Sequence, residues 1–476
     1  MENSQKSFKE LNLDNWLIKN LELVGIKNPT EIQLKSLPHT LKGKNIIGCA
    51  QTGSGKTACF ALPLLQKLAI DPYGVFGLIL SPTRELCYQI QQQIHSFAGQ
   101  NLNLRISILV GGVDYMKQVK ELQEIPHIII ACPGRLVHFL ENDQYNLKEF
   151  LQNLQFLIFD EADRMLLEDT MIPDIKQILE VLPAERQTLL FSATMVKDID
   201  KKLDRKLILG DEKKELIEIG NTEQANEDFQ MTVKNLDQKL VFIPENVKEA
   251  YLIYILKQTK LKKQQQCIIF TSTCKNCHFL AMLLQELEFD ATFIHSQLNQ
   301  RKRINNIAKF KSNYTKILVA TDVASRGLDI PYVQMVINFD VPKNPKDYVH
   351  RVGRTARAGR GGNSMTLVTQ YDINLILACE KYVGVKLEKV EYNEKEVLAD
   401  INHIMKVMQV VRIKMSEQGI NDMFDDFKEK KQLMREQSGQ KFGISSLKSK
   451  EILASKKNKK RDTKVQDKQM IKASKK

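Results

Sequence analysis

Short apolar runs alternate with amphipathic stretches along most of the chain. In the first half, runs that are apolar nearly throughout predict six strands, at residues 45–49, 76–80, 105–110, 127–131, 155–159 and 187–191. Such runs are typical of a parallel sheet that is covered on both faces. Between them, apolar residues recur at the spacing of one helical face, as in Leu86, Ile90 and Ile94. The first half therefore predicts a doubly wound α/β domain.

The same pattern begins again after a charged, weakly periodic stretch. Its predicted strands are residues 267–270, 291–294, 316–320, 335–339 and 363–368. We therefore predict two tandem α/β domains, each with a doubly wound parallel sheet. The predicted divisions are a first domain at 1–210, a linker at 211–227, a second domain at 228–384 and a C-terminal extension at 385–476.

The first predicted strand runs into a stretch that suits phosphate binding. Its residues are Ala50, Gln51, Thr52, Gly53, Ser54, Gly55, Lys56 and Thr57. Glycines allow successive backbone N–H groups to turn towards phosphates, Lys56 can reach the outer phosphates, and the Thr57 hydroxyl suits Mg²⁺. The alternative is a glycine-rich strand-to-helix turn with a chance Lys-Thr, and the apolar strand and helical pattern on its two sides disfavour it.

An acidic cluster follows the fifth predicted strand. Asp160 can hold Mg²⁺, and Glu161 can orient or deprotonate an attacking water. Acidic residues after a strand also commonly begin a helix, where the dipole favours them. The phosphate loop upstream favours the catalytic interpretation.

The positive charge is concentrated at the C-terminal end. The 476-residue chain has a net charge of +13, and residues 428–476 alone carry 17 Lys and Arg against 5 Asp and Glu. This composition predicts a disordered basic tail from about residue 428, attracted to a polyanion or to an import receptor. A tail that only improves solubility is the alternative.

The eight cysteines form no evident disulfide framework. With no signal peptide and no run of 18 apolar residues, the sequence predicts a soluble protein of a reducing intracellular compartment, without membrane contact. Cys274 and Cys277 form the one CxxC and open a helical pattern. Without a second pair or a histidine at zinc spacing, two half-buried thiols are the expectation.

These motifs resemble those of the DEAD-box RNA helicases. Residues 160–163 spell DEAD, and motifs similar to the family's follow in order from Phe8 to Arg360. The resemblance implies RecA-like domains, ATP and Mg²⁺ as cofactors, Mg²⁺ held by Thr57 and Asp160, and adenine read by Gln33 with Phe8 stacked on the base. The implied nucleotide-binding residues are Phe8, Gln33, Gln51, Thr52, Gly53, Ser54, Gly55, Lys56, Thr57, Gly327 and Asp329.

The resemblance also implies a largely sequence-independent grip on the RNA backbone. The implied RNA-binding residues are Pro82, Thr83, Arg84, Gly111, Gly112, Gly134, Arg135, Thr271, Arg303, Thr321 and Arg326. Ser192 and Thr194 match the stretch that couples hydrolysis to strand separation. Cys132 stands where the family usually has Thr, and a thiol is a poor hydrogen-bond donor.

An arginine series near residue 350 completes the implied catalytic set. Taken alone, four arginines beside a glycine-rich turn would more often be a solvated basic loop. The resemblance instead implies that Arg354 and Arg357 reach the γ-phosphate from the second domain. The implied catalytic residues are Lys56, Asp160, Glu161, Arg354 and Arg357.

The expected function is RNA-stimulated ATP hydrolysis coupled to the unwinding of short duplexes. Residues 71–76, 367–372 and 410–412 resemble the nucleolar subgroup that serves maturation of small-subunit ribosomal RNA. That resemblance implies a nucleolar monomer acting on pre-ribosomal RNA, and it leaves a protein activator open. The alternatives are an ATP-gated RNA clamp or assembly factor, and a small-substrate kinase, which would leave the arginine series and the second domain unexplained.

Overall fold

The computed structural model describes residues 7–50, 53–100, 102–142, 146–167, 169–192, 203, 205–210, 215–219, 236–259, 265–322, 333–355, 362–426 and 429. The chain divides into Met1–Met408, which contains both sheets, and Gln409–Lys476. Several predicted residues lie outside the described ones: Gln51, Thr52, Thr194, Arg326, Gly327, Asp329, Arg357 and the tail, apart from residue 429.

The first domain is built on one parallel sheet. Its strands are β1 (Asn45–Cys49), β2 (Gly77–Leu80), β3 (Ile106–Leu109), β4 (Ile128–Ala131), β5 (Phe156–Asp160), β6 (Gln187–Ser192) and β7 (Leu216–Ile219). The helices are α1 (Asn15–Leu23), α2 (Glu31–Thr40), α3 (Lys56–Leu68), α4 (Arg84–Ala98), α5 (Tyr115–Gln123), α6 (Pro133–Glu141), α7 (Leu147–Leu151), α8 (Ala162–Leu167), α9 (Ile172–Glu180) and α10 (Arg205–Leu209). Across the sheet the strands run in the order β3-β4-β2-β5-β6-β1-β7.

The second domain repeats this architecture. Its strands are β8 (Asp237–Phe242), β9 (Cys267–Thr271), β10 (Ala291–Ile294), β11 (Ile317–Thr321), β12 (Met335–Asn338), β13 (Asn363–Val368) and β14 (Glu388–Lys389). The helices are α11 (Lys248–Thr259), α12 (Cys274–Glu286), α13 (Gln300–Lys311), α14 (Pro345–Val352), α15 (Ile373–Val383), α16 (Glu394–Val397) and α17 (Ile401–Glu417). The strand order is β10-β11-β9-β12-β13-β8-β14, and the pairing is parallel.

The apolar runs become strands that are buried on both faces. In β1, Ile46 packs into one hydrophobic cluster and Ile47 into another on the opposite face of the sheet. The same alternation separates Phe156 and Ile158 from Leu157 in β5. Successive side chains of a strand point to opposite faces, so a strand covered by helices on both sides must be apolar at every position. The prediction of a doubly wound α/β fold is confirmed.

Both sheets extend beyond the predicted strands. β7 lies inside the range predicted as linker, and it pairs with β1 through Asn45 opposite Leu216. β14 lies beyond residue 384 and pairs with β8, which was not predicted as a strand. These strands occupy the side of each sheet where the pattern is mixed: β7 reads Leu-Ile-Glu-Ile with only Ile219 buried. β7 and β14 are edge strands, which need no continuous apolar run, and β8 beside β14 buries only Gln238 and Val241, so none of the three was predicted.

Helix starts follow from local chemistry. Thr83 caps α4 by accepting a hydrogen bond from Leu86 N, and Thr273 caps α12 in the same way from Asn276 N. Hydroxyl side chains at this position satisfy N–H groups that the first turn leaves without a partner. In the part of the chain that the structure describes, no helix is long and apolar enough to cross a membrane.

Candidate active site and RNA-binding edge

Three neighbouring strands of the first sheet end at the same place. β1, β6 and β5 lie side by side, with Cys49 opposite Ser192 and Phe191 opposite Asp160. Ala50 N donates a 3.0 Å hydrogen bond to Ser192 O just beyond the strands. This register brings the phosphate loop, the acidic cluster and the start of the predicted coupling stretch together at the carboxyl edge, where open α/β sheets bind ligands.

The phosphate loop has the backbone that its glycines predict. Gly53 and Gly55 both have φ of 87°, in the left-handed region where a side chain would be strained. α3 begins at Lys56, so the loop leads directly into a helix N-terminus, which favours phosphate. Lys56 Nζ donates a 2.6 Å hydrogen bond to Ala50 O across the loop. Thr57 follows in the first turn of α3.

Gln33 fastens this loop to α2. Its side-chain oxygen accepts from Thr30 N at 2.9 Å, and its amide nitrogen donates to Gly55 O at 3.0 Å. Thr30 Oγ1 donates to Ser54 O at 2.8 Å. A Cβ on Gly55 would overlap the Gln33 amide, so glycine is required there for this contact as well as for its φ. The contact of Gln33 with adenine stays a prediction.

Phe8 occupies a different place from the one the resemblance implied. Ser7 caps a short 3₁₀ turn over Phe8–Leu11 through a reciprocal bond with Glu10, and this turn buries the Phe8 ring to 2% exposure. The ring packs into the same hydrophobic cluster as Leu17 and Leu21. An aromatic side chain with no exposed face cannot stack on a base, so in this structure Phe8 is a core residue.

The acidic cluster lies in a strongly desolvated position. Burial raises the pKa of Asp160 to about 7, against the opposing charge of Lys56. Burial also raises the pKa of Glu161, and Arg164 is the strongest of the positive charges that oppose this rise. Part of the Glu161 side chain reaches solvent, but protein atoms closely surround its carboxyl. Glu161 has φ of 59°, a left-handed conformation that is uncommon outside glycine and recurs at functional sites.

Arg354 of the second domain acts on this cluster. It follows α14 and is 5% exposed. Its charge is among those that oppose the raised pKa of Glu161, as is that of Lys56. One carboxylate is therefore within electrostatic reach of positive groups from both domains, which is the arrangement that a trans-acting arginine requires.

The residues at this edge fit a magnesium ion. A carboxylate whose ionised form is disfavoured by burial, as Asp160 shows, gains from a neighbouring cation. Thr57 lies in the first turn of α3, next to the loop, and hydroxyl and carboxylate oxygens are the ligands that Mg²⁺ prefers. Among all the described residues, this edge included, no group of three or more His, Cys, Asp and Glu side chains could hold a metal ion, so the ion would rest on Asp160 and the Thr57 hydroxyl.

The predicted RNA-binding stretches of the first domain pack against one another. Arg84 begins α4, and a Cβ at Gly112 would overlap its guanidinium, so the glycine allows close approach. Arg84 Nη2 lies 3.0 Å from the Cβ position of Gly111. Thr83, which follows Pro82, is buried and caps α4. Its hydroxyl accepts a hydrogen bond from Leu86 N. The exposed Gly112 and the half-buried Gly111 and Arg84 suit a phosphate backbone.

Arg135 is held in place by its neighbours. Its guanidinium lies over the rings of Tyr115 and Phe139 and donates to Val113 O at 3.2 Å. Gly134 beside it is exposed, and Asp174 approaches its Cβ position to 3.1 Å. Stacking on two rings fixes the arginine at little further entropic cost on binding.

The second domain places two predicted hydroxyls side by side. Thr271 ends β9 and Thr321 ends β11, directly opposite each other in the sheet. Thr321 Oγ1 has no hydrogen-bond partner among the described residues. Next to it, Asp322 makes a two-pronged ion pair with Arg351, at 2.5 and 2.7 Å. Sequence reasoning did not assign a role to this pair, which ties the end of β11 to α14.

The comparisons with known proteins agree with this site. The DEAD/DEAH box helicase family matches residues 30–201, and the helicase conserved C-terminal domain matches residues 247–359. The "Probable ATP-dependent RNA helicase DDX49" of Mus musculus is 45% identical over 430 residues, which cover 89% of this chain and 85% of the relative. The chain belongs to the DEAD-box family of ATP-dependent RNA helicases.

Other relatives and solved structures agree. The "DEAD-box ATP-dependent RNA helicase 36" of Arabidopsis thaliana is 42% identical, covering 91% of this chain and 84% of the relative. The structure of "S. cerevisiae Dbp5 bound to RNA and ADP BeF3" has a TM-score of 0.70 at 26% identity and covers 85% of this chain and 99% of its own. Mss116p "bound to ssRNA and AMP-PNP" has a TM-score of 0.71 at 27% identity, covering 89% and 88%. The two sheets are thus the tandem RecA-like domains of this helicase family.

A buried ion pair joins the two helicase domains. Arg303 on α13 approaches Glu85 on α4 to 2.7 Å, and the two side chains are only 6% and 3% exposed. Gln300 Nε2 donates to the other Glu85 oxygen at 3.2 Å. Burial lowers the pKa of Arg303, and Glu85 opposes this. We refer to Glu85 and Arg303 as the interdomain ion pair; sequence reasoning missed Glu85.

The interdomain ion pair qualifies the role expected of Arg303. Its guanidinium is turned towards Glu85 here, while Arg303 Nε has no well-aligned hydrogen-bond partner among the described residues. A contact between Arg303 and RNA stays a prediction, and Nε has the donor capacity for it. The sequence signal for this ion pair was Glu85 within the stretch Pro82–Leu86, because a buried carboxylate needs a positively charged partner.

Replacing Glu85 by Gln is expected to weaken the coupling between ATP and RNA. The substitution leaves the buried charge of Arg303 unpaired, which typically costs about 3 to 5 kcal/mol. This cost arises only in the arrangement in which the two domains are in contact. The measurement is the ratio of RNA dissociation constants with and without a non-hydrolysable ATP analogue. Arg303→Ala and the double variant complete a mutant cycle. An unchanged ratio in all three variants would rule out a coupling role.

Proposed function

We propose that this helicase hydrolyses ATP between Lys56, Asp160 and Glu161 of the first domain and Arg354 of the second, and uses the reaction to separate short duplexes in pre-ribosomal RNA. The observation that carries the catalytic part is the strand register that places the phosphate loop and Asp160 at one sheet edge, and the charge of Arg354, which opposes the raised pKa of Glu161, supports it. Neither domain alone holds both groups, so catalysis depends on the domains being together.

The residues divide the work by position. Lys56 and the loop N–H groups bind the outer phosphates, and Glu161 orients the attacking water and accepts its proton. Mg²⁺, held by Thr57 and Asp160, would neutralise charge on the phosphates. Arg354 stabilises the charge that develops on the transferred group, and burial strengthens that interaction because water screens it less.

RNA and ATP favour the same closed arrangement. Arg84, Gly112 and Arg135 offer a backbone-binding edge on one domain, and the buried hydroxyls of Thr271 and Thr321 lie at the strand ends of the other. A ligand that contacts both domains stabilises their association, so each ligand raises the affinity for the other by the same factor. A strand gripped this way can be bent out of duplex geometry, which releases its partner.

The interdomain ion pair favours one alternative, an ATP-gated clamp that stays closed and seldom unwinds. A duplex displacement assay separates the two functions. A labelled strand in a short RNA duplex should be released in an ATP-dependent manner, with ATP hydrolysis stimulated by RNA. ATP-dependent retention of RNA without strand release would support the clamp. Absence of any RNA stimulation would contradict both.

The choice of pre-ribosomal RNA rests on residues 71–76, 367–372 and 410–412, which resemble the nucleolar subgroup. We propose a nucleolar location and a monomer, and we leave a protein activator open. Crosslinking the protein to RNA in cells tests the substrate, because the bound sites should map to ribosomal RNA precursors. A light-scattering mass close to 54.7 kDa tests the monomer.

Deleting residues 428–476 should raise the RNA concentration needed for half-maximal ATPase activity and leave the RNA-saturated turnover unchanged. The tail carries nearly all of the net charge and lies outside the catalytic motifs, so it acts as an electrostatic tether. The salt dependence of RNA binding should become shallower. A matched control replaces the basic residues of 456–461 by Gln at full length. If the truncated protein binds RNA with the same affinity and the same salt dependence as the full-length protein, the tail serves only targeting or solubility.

A further inference from the structure

Two thiols face each other at the RNA-binding edge of the first domain. Cys87 lies in the first turn of α4 and is fully buried, and Cys132 immediately precedes α6 and is half-buried. Their sulfur atoms are 3.8 Å apart. We refer to Cys87 and Cys132 as the thiol pair. Its two members come from stretches 45 residues apart in the sequence, so the fold alone brings them together.

Both members of the thiol pair belong to the first domain. The two cysteines of the CxxC contact other groups. Cys277 Sγ contacts Ile294 O and Val319 O, and Cys274 Sγ lies 3.4 Å from Ser296 Oγ. The CxxC of the second domain is therefore separate from the thiol pair.

We propose that Cys87 and Cys132 are a modification site, at which hydrogen peroxide forms an intrachain disulfide and thereby weakens the grip on RNA. The weakening of RNA binding rests on the proposed function, whereas formation of the bond does not.

The reaction balances with peroxide as the oxidant. The Cys132 thiolate attacks one peroxide oxygen, the O–O bond breaks, and Cys132 becomes a sulfenic acid while the other oxygen leaves as water after protonation. Cys87 then attacks the Cys132 sulfur, its proton passes to the departing hydroxyl, and the second water leaves. The two thiols lose two electrons in total, and one peroxide is reduced to two waters.

Accessibility sets the order of the steps. Cys132 is half-buried and can meet a small oxidant, whereas Cys87 is enclosed by the core. Burial raises the pKa of the Cys87 thiol well above its usual value, so it is the poorer first nucleophile. Once Cys132 is a sulfenic acid, Cys87 is already in contact with it, and the second step is intramolecular.

Bond formation must move the RNA-binding edge. A disulfide holds its sulfurs about 2.05 Å apart, so the two must approach by roughly 2 Å. Arg84 and Glu85 lie within three residues of Cys87, and Gly134 and Arg135 lie within three residues of Cys132. We expect part of this approach to displace the two predicted phosphate-binding stretches and Glu85 of the interdomain ion pair.

Peptide mapping tests the bond on the full chain without any RNA. The reduced protein is treated with graded hydrogen peroxide, remaining thiols are blocked with N-ethylmaleimide, and the protein is digested with trypsin without reductant. Peptides 85–105 and 121–135 each contain one cysteine. They should appear as a linked pair that reductant separates. If peroxide oxidises other thiols while these two peptides stay unlinked, the proposal is overturned.

RNA binding tests the consequence. The oxidised protein should bind single-stranded RNA at least about tenfold more weakly, the equivalent of one charge-assisted contact, and dithiothreitol should restore the affinity. Cys132→Thr should lose both the link and the response to peroxide, whereas Cys274→Ser should keep both. A linked protein that binds RNA as tightly as the reduced one overturns the regulatory part. A reduced protein that binds no RNA would count against the proposed function, and the mapping would still decide the bond.

Discussion

Glu161→Gln is expected to lower RNA-stimulated ATP hydrolysis by about 10² to 10⁴, the usual contribution of a general base. The substitution preserves the shape of the side chain and removes the group that accepts the proton from water. Asp160 and Lys56 remain, so the variant should still bind ATP and RNA and should accumulate in the closed, RNA-bound state. A coupled ATPase assay with saturating RNA measures the loss.

The environment of Glu161 is what makes this effect large. Its carboxyl is surrounded by protein, its pKa is raised first by burial, and its backbone is held in a left-handed conformation. A base works best when its pKa lies near the working pH, and burial moves a carboxylate in that direction. A glutamine in the same position keeps the hydrogen-bonding shape but has no such proton affinity.

Two further variants define the result. Glu180→Gln makes the same change on the exposed end of α9 in the same domain, and it should hydrolyse ATP normally. Lys56→Ala should instead lose nucleotide binding, because it removes the charge that reaches the phosphates. Hydrolysis at the unmutated rate by Glu161→Gln would show that another group accepts the proton.

The strands that are buried on both faces were predictable because they are apolar at nearly every position. Asn45–Cys49, Ala291–Ile294 and Asn363–Val368 form strands with the predicted bounds. The edge strands left no such trace. The strand Leu216–Ile219 contains a glutamate among its apolar residues. It forms by pairing with β1, which lies more than 150 residues away in the sequence.

The candidate site shows the same contrast between local sequence signals and contacts between distant parts of the chain. The phosphate loop and Asp160 could be found from the sequence because their chemistry follows directly from a strand end and a glycine-rich turn. The pairing of Glu85 with Arg303 could not, because it exists only where two separately folded domains meet. Phe8 was assigned to the nucleotide from a resemblance in spacing, and the structure places its ring in the core instead.

Arg354→Ala is expected to lower the RNA-stimulated turnover by about 10³ or more, while the affinity for ATP without RNA changes little. Arg354 comes from the second domain, and it acts on the acidic cluster of the first. Its charge is therefore used only when the domains are together, and it stabilises a transition state more than a bound substrate. Single-turnover hydrolysis with saturating RNA, together with nucleotide titrations in its absence, measures the two effects separately.

The neighbouring arginine supplies the control that separates chemistry from folding. Arg351 is 2% exposed and is committed to Asp322, Asn338 and Asp340 O inside the second domain. Arg351→Ala should therefore lower the melting temperature, because it removes the two-pronged ion pair with Asp322, and the melting temperature of Arg354→Ala is measured beside it. Arg354→Lys keeps the charge but loses the planar fork of the guanidinium. Its turnover should therefore fall between that of Arg354→Ala and that of the unmutated protein. If Arg354→Ala weakened ATP binding in the absence of RNA and left the turnover of the saturated enzyme unchanged, Arg354 would be a ground-state contact and the catalytic assignment would be lost.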